Sequence, residues 1–325
     1  MQLNKAILKI DTFVVATIAV ILIAYLFPQL RTEQIHAAME WISKIGIVLI
    51  FFFYGLKLSF YKLKNGLMNW KLHVLIQIST FVLFPLIVLP FQFLIHSEQT
   101  QIIWLSFLFL AALPSTVSTS VVMVSIAKGN IPAAIFNASI SGLIGVLVTP
   151  LWIGLFSEYS TTGLDLSSIY FNLLVEILLP VFLGILLQPY FGKYAHRFSK
   201  PLTVFDKSIV LLIIFKSFSE AFEANYFTVV SLNNLVFIFI AVIILFYIMY
   251  FLTGVIAQKL HFSREDCITA QYCGTKKSLI HGTVFSKILF SSTMPIGILL
   301  LPLMIFHALQ IFIVSVIATK KGNEA

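Results

Sequence analysis

Ten stretches of the chain are apolar enough to enter a bilayer, at about 12–28, 42–58, 72–94, 102–127, 131–156, 169–190, 204–222, 232–258, 265–288 and 293–318. A helix needs ~20 mostly apolar residues to cross the hydrocarbon core, and fewer where neighbours shield it. The polar connections are short and leave no room for a soluble domain or a long linker. This pattern predicts an all-α integral membrane protein with ten transmembrane helices.

Composition points the same way. Of 325 residues, 59% are hydrophobic and 10% charged, with a mean hydropathy of +1.00, against ~25% charged in a soluble domain. The net charge of +8 would suit nucleic acid in a soluble protein. Here the cations sort into alternate connections, so the expected partner is the lipid bilayer and not a nucleic acid. With the N-terminus inside, the inner segments hold fourteen basic residues, from Lys5 and Lys9 through Lys62 and Lys64 to Lys320 and Lys321. The outer ones hold Arg31 alone, beside Glu33, Glu40, Glu98, Glu158, Asp165 and Glu223. Both termini are therefore expected in the cytoplasm, of a multi-pass protein of the plasma (inner) membrane. The apolar run Thr12–Phe27 reads as a first helix, since no small-x-small cleavage site follows it. Cys267 and Cys273 lie six residues apart in one apolar stretch, which is neither a disulfide framework nor a metal spacing.

The two halves echo each other. "SKIGIVLIFF" from Ser43 and "DKSIVLLIIF" from Asp206 align at an offset of 163 residues, as do Pro132 and Pro295. Residues 1–156 and 157–325 then form two five-helix repeats, and an odd helix number turns the second upside down, a transporter feature.

In such repeats, sites form where helices are interrupted in corresponding positions. Span four reads "LAALPSTVSTSVVMVSIAKGN": Pro114 removes a backbone donor, and Ser115, Thr116, Ser118, Thr119 and Ser120 follow it. In span nine, Gly274 and Thr275 are expected to interrupt the helix just before Lys276, Lys277 and Ser278. A lysine at the centre of a lipid-facing helix costs roughly 2.5–3.5 kcal/mol, so this pair must face protein. The hydroxyls can hydrogen-bond a substrate or coordinate a small cation. Asn137 and Ser139 on span five are expected beside them. Gly274, Lys277 and His281, at i, i+3 and i+7, would share one face, with Lys276 turned away from it. One of the two lysines would pair with a carboxylate and the other face the substrate. Other intramembrane polar groups are accessory candidates. Glu176 either acts in the site or pairs with a base such as Lys216, and Lys216 either pairs or lines the cavity. His307 and Gln310 on span ten suit cross-helix bonds. Thr80, with Gln77 and Ser79, is a possible neighbour on span three. Lys44, Lys207 and Lys287 sit near helix ends, where they would snorkel to the surface.

The stretches "LHVLIQISTFVLFPL", "STSVVMVSIAKGNIPAAIFNASISGLIGVLVTPL", "CGTKKSL" and "FHALQI" together resemble the bile acid:sodium symporter family over nearly the whole chain. The resemblance implies a panel domain of helices 1, 2, 6 and 7 and a core domain of helices 3–5 and 8–10. In the core, broken helices 4 and 9 would cross, and in the sodium-coupled members the ions bind beside that crossover. The family's Ser-Asn pair falls on Ser120 and Val121, and its helix-five hydroxyls on Ala134 and Ala138. Its Glu-x-x-x-Gln motif falls on Gln271 and Thr275. Loss of the carboxylate beside two lysines sets this chain against Na⁺, which two ammonium groups would repel at low dielectric. A lysine ammonium is then expected in place of the sodium ion, leaving transport uncoupled from Na⁺ or coupled to H⁺, because burial disfavours a charged amine.

The leading function is a secondary transporter of a small organic anion working by alternating access. The alternative is a regulatory membrane protein that affects ion homeostasis without vectorial transport. No enzyme, metal site or cofactor is expected, as the seven histidines form no nucleophile–base or ligand set. Nothing in the chain fixes an oligomeric state.

Overall fold

The computed structural model describes residues 12–27, 33–58, 69–116, 118–156, 166–223, 232–290 and 295–324, and all regular structure among them is helical. The loop residues Lys5, Lys9, Arg31, Lys62, Lys64, Glu158 and Asp165, used in the charge map, lie outside the described residues. In chain order the helices are α1 (Thr12–Leu26), α2 (Glu33–Lys57), α3 (Trp70–Leu94), α4 (Glu98–Ala112), α5 (Ser118–Ile126) and α6 (Ile131–Leu155). They continue with α7 (166–197), α8 (Ser199–Glu223), α9 (Leu232–Lys259), α10 (Arg264–Thr275), α11 (Leu279–Phe290) and α12 (Ile296–Asn323).

Six of the described helices are long and apolar enough to cross a membrane: α2, α3, α6, α7, α9 and α12. Large side chains on their outer faces stay open, such as Leu155 at 69%, Phe182 at 62% and Phe251 at 60%. A soluble protein hides a surface of this kind; here the lipid covers it. The other four expected spans fall short for visible reasons. α1 has 15 residues. Spans four and nine are each cut, into α4 with α5 and α10 with α11. α8 carries Lys200, Asp206, Lys207, Lys216, Glu220 and Glu223.

Helices α1, α2, α7 and α8 pack on one another, with α2 and α7 the most extensive pair. Glycines allow that approach: a Cβ on Gly55 would strike Val181 O, and one on Gly184 would strike Phe52 O. A second group joins α3, α4, α6, α9, α10, α11 and α12, and α8 touches it through α11 and α12.

Two helices widen into a π turn just before a proline: Ser79–Leu83 ahead of Pro85 in α3, and Leu174–Leu178 ahead of Pro180 in α7. A proline lacks the N–H that the tighter ladder needs and its ring crowds the preceding turn, so the chain bulges there.

The break in span four lies where Pro114 places it, between Ala112 and Ser118. The break in span nine does not follow the expectation. α10 runs unbroken through Gly274 to Thr275, and the non-helical residues are Lys276 to Ser278 themselves. Lys276 has ψ 147°. The shared face of Gly274, Lys277 and His281 therefore does not exist, because an i, i+3, i+7 row requires a continuous helix.

Candidate functional site

The site is best read from carbonyl oxygens that the helices leave over. In the π turn of α3, the Phe84 N–H reaches back to Ser79 O. The next donor in that ladder would be Pro85, which has none, so Thr80 O is unclaimed. At the end of α4, the N–H of Ser115 would ordinarily serve Ala111 O. It donates instead to Ser141 Oγ at 3.0 Å. Ala112 O is taken by the Thr149 hydroxyl at 2.8 Å.

The leftover carbonyls meet at one cation. Lys277 Nζ donates to Thr80 O at 2.7 Å, Ala111 O at 2.5 Å and Leu113 O at 2.9 Å. An ammonium has three protons, and all three are used. The Phe84 ring covers the remaining side, its centroid 4.1 Å away. Lys277 is fully buried.

Its backbone is held as firmly. Gln310 on α12 accepts from Lys277 N at 2.9 Å and donates to Lys277 O at 2.8 Å. The two breaks then touch, with Ser278 N donating to Pro114 O at 2.9 Å. Lys276, also fully buried, donates to Thr119 O at 2.8 Å on α5. Among the described residues neither lysine pairs with a carboxylate, contrary to expectation. Backbone carbonyls hold both, three for Lys277 and one for Lys276, and these acceptors come without a second charge.

The first turns of the second half-helices carry the hydroxyls. Thr116 Oγ1 bonds Thr119 Oγ1 at 2.7 Å and Ser120 Oγ at 2.9 Å. Ser278 Oγ caps α11, accepting from His281 N at 3.3 Å and bonding His281 Nδ1 at 2.9 Å. Thr116, Thr119, Ser139, Ser278, His281 and His307 all line a cavity of about 410 Å³. Its facing wall is Phe13 of α1, Tyr54 and Lys57 of α2, and Asp206 and Lys207 of α8. Two helix N-termini, those of α5 and α11, thus present their positive ends to the cavity. The carbonyl end of α4 points to the buried ammonium of Lys277.

Other expected residues are placed differently. Asn137 is turned to α3, with Nδ2 2.7 Å from His73 Nδ1 and Oδ1 accepting from Gln77 at 3.1 Å. Ser139 Oγ donates to Ile135 O at 2.8 Å within its own helix, while its carbonyl accepts from the Tyr54 hydroxyl. Gly274 packs against Ser79 and Thr253. Ser115 acts through its backbone, and the side chain of Ser118 lies outside the described residues. Thr275 Oγ1 donates to Gln271 O at 2.5 Å, and Gln271 Oε1 accepts from Lys321 Nζ at 2.7 Å. His307 and Gln310 bond each other at 2.9 Å.

Lys216 is neither the partner of Glu176 nor a cavity residue. It pairs with Glu40 and, at 3.5 Å, with Glu220. Lys287 does not snorkel; it is buried and lies 3.1 Å from Glu40. Glu176 lies within electrostatic reach of Lys44 and Lys287. Sequence reasoning missed Tyr54, Phe84 and Lys321. A tyrosine in a phenylalanine run and a lysine near the chain's end carry no local signal, but Phe84 adjoins Pro85, the residue that exposes Thr80 O.

A multi-pass helical protein in which two broken helices meet beside a central cavity has the organisation of a membrane transporter. Residues 11–322 match the SBF-like CPA transporter family, and the chain belongs to it. It is 36% identical over 315 residues to the uncharacterized protein PA2026 of Pseudomonas aeruginosa, covering 97% of this chain and 93% of that one. The putative symporter YfeH of Escherichia coli is 34% identical over 315 residues, covering 97% and 94%. Sodium/bile acid cotransporter 7 of Xenopus tropicalis is 29% identical over 314 residues, covering 95% and 91%.

Proposed function

We propose that this protein is a secondary transporter of a small organic anion in the plasma (inner) membrane, with both termini cytoplasmic, in which a lysine ammonium does the work of a bound sodium ion. The observation that carries the proposal is Lys277 Nζ on three backbone carbonyls, at 2.5–2.9 Å, where the two broken helices meet. Such a ring of oxygens suits a small cation, and here the cation is covalently attached. The positions that the family resemblance assigns to sodium ligands support the same reading: Gln271 Oε1 is engaged by a second ammonium, that of Lys321.

Ten spans in two inverted five-helix repeats account for the element order, with α4 and α5 as one broken span and α10 and α11 as its counterpart. Helices α1, α2, α7 and α8 form one moving body. The helices that carry the crossover form the other, and the cavity between them closes and opens as they shift. An anion fits this cavity because the N-termini of α5 and α11 converge on it while no unpaired carboxylate is needed for charge balance. Asp206, the acid on the wall, is paired with Lys57 at 3.5 Å.

Uptake of labelled organic anions into proteoliposomes tests the proposal, with Na⁺ or choline outside and with or without a pH gradient. The expected result is saturable uptake that is indifferent to Na⁺, driven by the anion gradient alone or accelerated by protons. Strictly Na⁺-dependent uptake that survives Lys277→Ala contradicts it.

A further inference from the structure

We infer that Glu40 is the hub of an ion-pair gate sealing the end of the transport path opposite the mouth of the cavity, a reading that rests on the proposed transport function. Glu40, on α2, binds three lysines. One carboxylate oxygen lies 3.1 Å from Lys287 Nζ on α11, and the other binds Lys216 on α8. Lys44, one turn along on α2, is 4.0 Å away. Lys216 is shared with Glu220 at 3.5 Å, and Glu176 on α7 lies within electrostatic reach of Lys44 and Lys287. Three lysines and three glutamates thus balance in formal charge. The Lys287 and Lys216 side chains are only 10% and 14% exposed.

Where this cluster sits gives it a function. The cavity separates α2 and α8 on one wall from α11 on the other. The Lys287–Glu40 pair joins those same two walls farther along the same helices. From Ile50, the cavity residue on α2 nearest to it, Glu40 is about 15 Å along the helix at 1.5 Å per residue, and from Lys207 to Lys216 is about 14 Å along α8. From His281 to Lys287 is about 9 Å along α11. The walls are thus apart at one end and tied by charge at the other. With the orientation set by the basic loops, the tied end is the outer one. Opening the path outward must draw Lys287 away from Glu40, which strands a nearly buried ammonium on α11. The gate therefore holds the protein inward-facing until something offsets that loss. Lys44 shares a helix with Glu40 and is half exposed, so it belongs to the cluster without bridging the walls.

Accessibility of a single cysteine reads the gate without any substrate. The parent chain carries Cys267→Ser, Cys273→Ser and Ile280→Cys, the last at a cavity-lining position. A membrane-impermeant maleimide is added outside intact cells. The expected labelling is slow in the parent and faster by about five-fold or more in both Lys287→Met and Glu40→Gln, as the outward-open fraction rises. The combined variant should label no faster than the faster single one, and Lys44→Met should label as the parent does. Unchanged labelling in Lys287→Met, with normal amounts in the membrane, overturns the gate even if Glu40→Gln fails to assemble. Fast labelling of the parent overturns it as well. Changed labelling in a protein that accumulates no anion rejects the transport reading alone, and unchanged labelling with intact uptake rejects the gate alone.

Discussion

Lys277 is held where it is by a shortage of donors elsewhere. Thr80 O lost its partner to Pro85, and Ala111 O lost its own when Ser115 N turned to Ser141. Each orphaned buried carbonyl costs about 1–3 kcal/mol, and the ammonium prevents three such losses at once. Lys277→Met should therefore lower the unfolding temperature in detergent by more than any other single change in the crossover. Gln310→Leu, which strands the Lys277 N–H and C=O, should cost less, and Lys276→Met, which loses one bond to Thr119 O, less again. A thermal unfolding series on the three variants checks the order. A lysine pair in an apolar segment, next to glycine, could be recognised from residue order alone as a group that must face protein. What holds each ammonium could not, because the acceptors come from α3, α4 and α5, and a carbonyl is free only once its own helix has failed to use it.

At the scale of elements, close crossing and local bulging both follow from small residues and prolines. The α2–α7 crossing leaves no room for a methyl group at Gly55 or Gly184. Gly184→Ala should push the two backbones apart at a cost of roughly 1–3 kcal/mol, as overpacking does; a lower unfolding temperature with unchanged helical content would report it. Pro85→Ala restores the missing N–H in α3. The π turn can then relax, Thr80 O gains a helical donor, and Lys277 keeps two of its three carbonyls. Stability in Pro85→Ala should consequently become less sensitive to Lys277→Met, a coupling that a double-mutant cycle measures. Apolar runs located the helices well, since a membrane segment needs little beyond length and hydropathy. The break at Pro114 was equally legible from its covalent cause. The second was placed two residues early, at Gly274, because a glycine inside a tightly packed helix marks close approach as readily as interruption. There it lies against Ser79 and Thr253. Glu40, Lys216 and Lys287 were readable as charges but not as one cluster, being brought together from positions up to 247 residues apart.

For the whole molecule, two opposed polarities divide the labour. Helix N-termini and hydroxyls face the cavity of about 410 Å³, the place of the proposed anion, while a carbonyl end and three ring-facing or buried ammonium groups occupy the ground where a coupling ion would be sought. Lys321 lies 5.6 and 5.8 Å from the rings of Tyr250 and Tyr272 and reaches Gln271, and Lys276 and Lys277 fill the breaks. Sodium binding there would bring a mobile cation against fixed ones in a medium of low dielectric. The most direct measurement is anion uptake by proteoliposomes carrying the intact protein, compared in equimolar Na⁺ and choline. Equal initial rates in the two salts are expected, with a marked loss of uptake in Lys277→Ala in both. Uptake that requires Na⁺, and that continues in Lys277→Ala, would contradict the proposal.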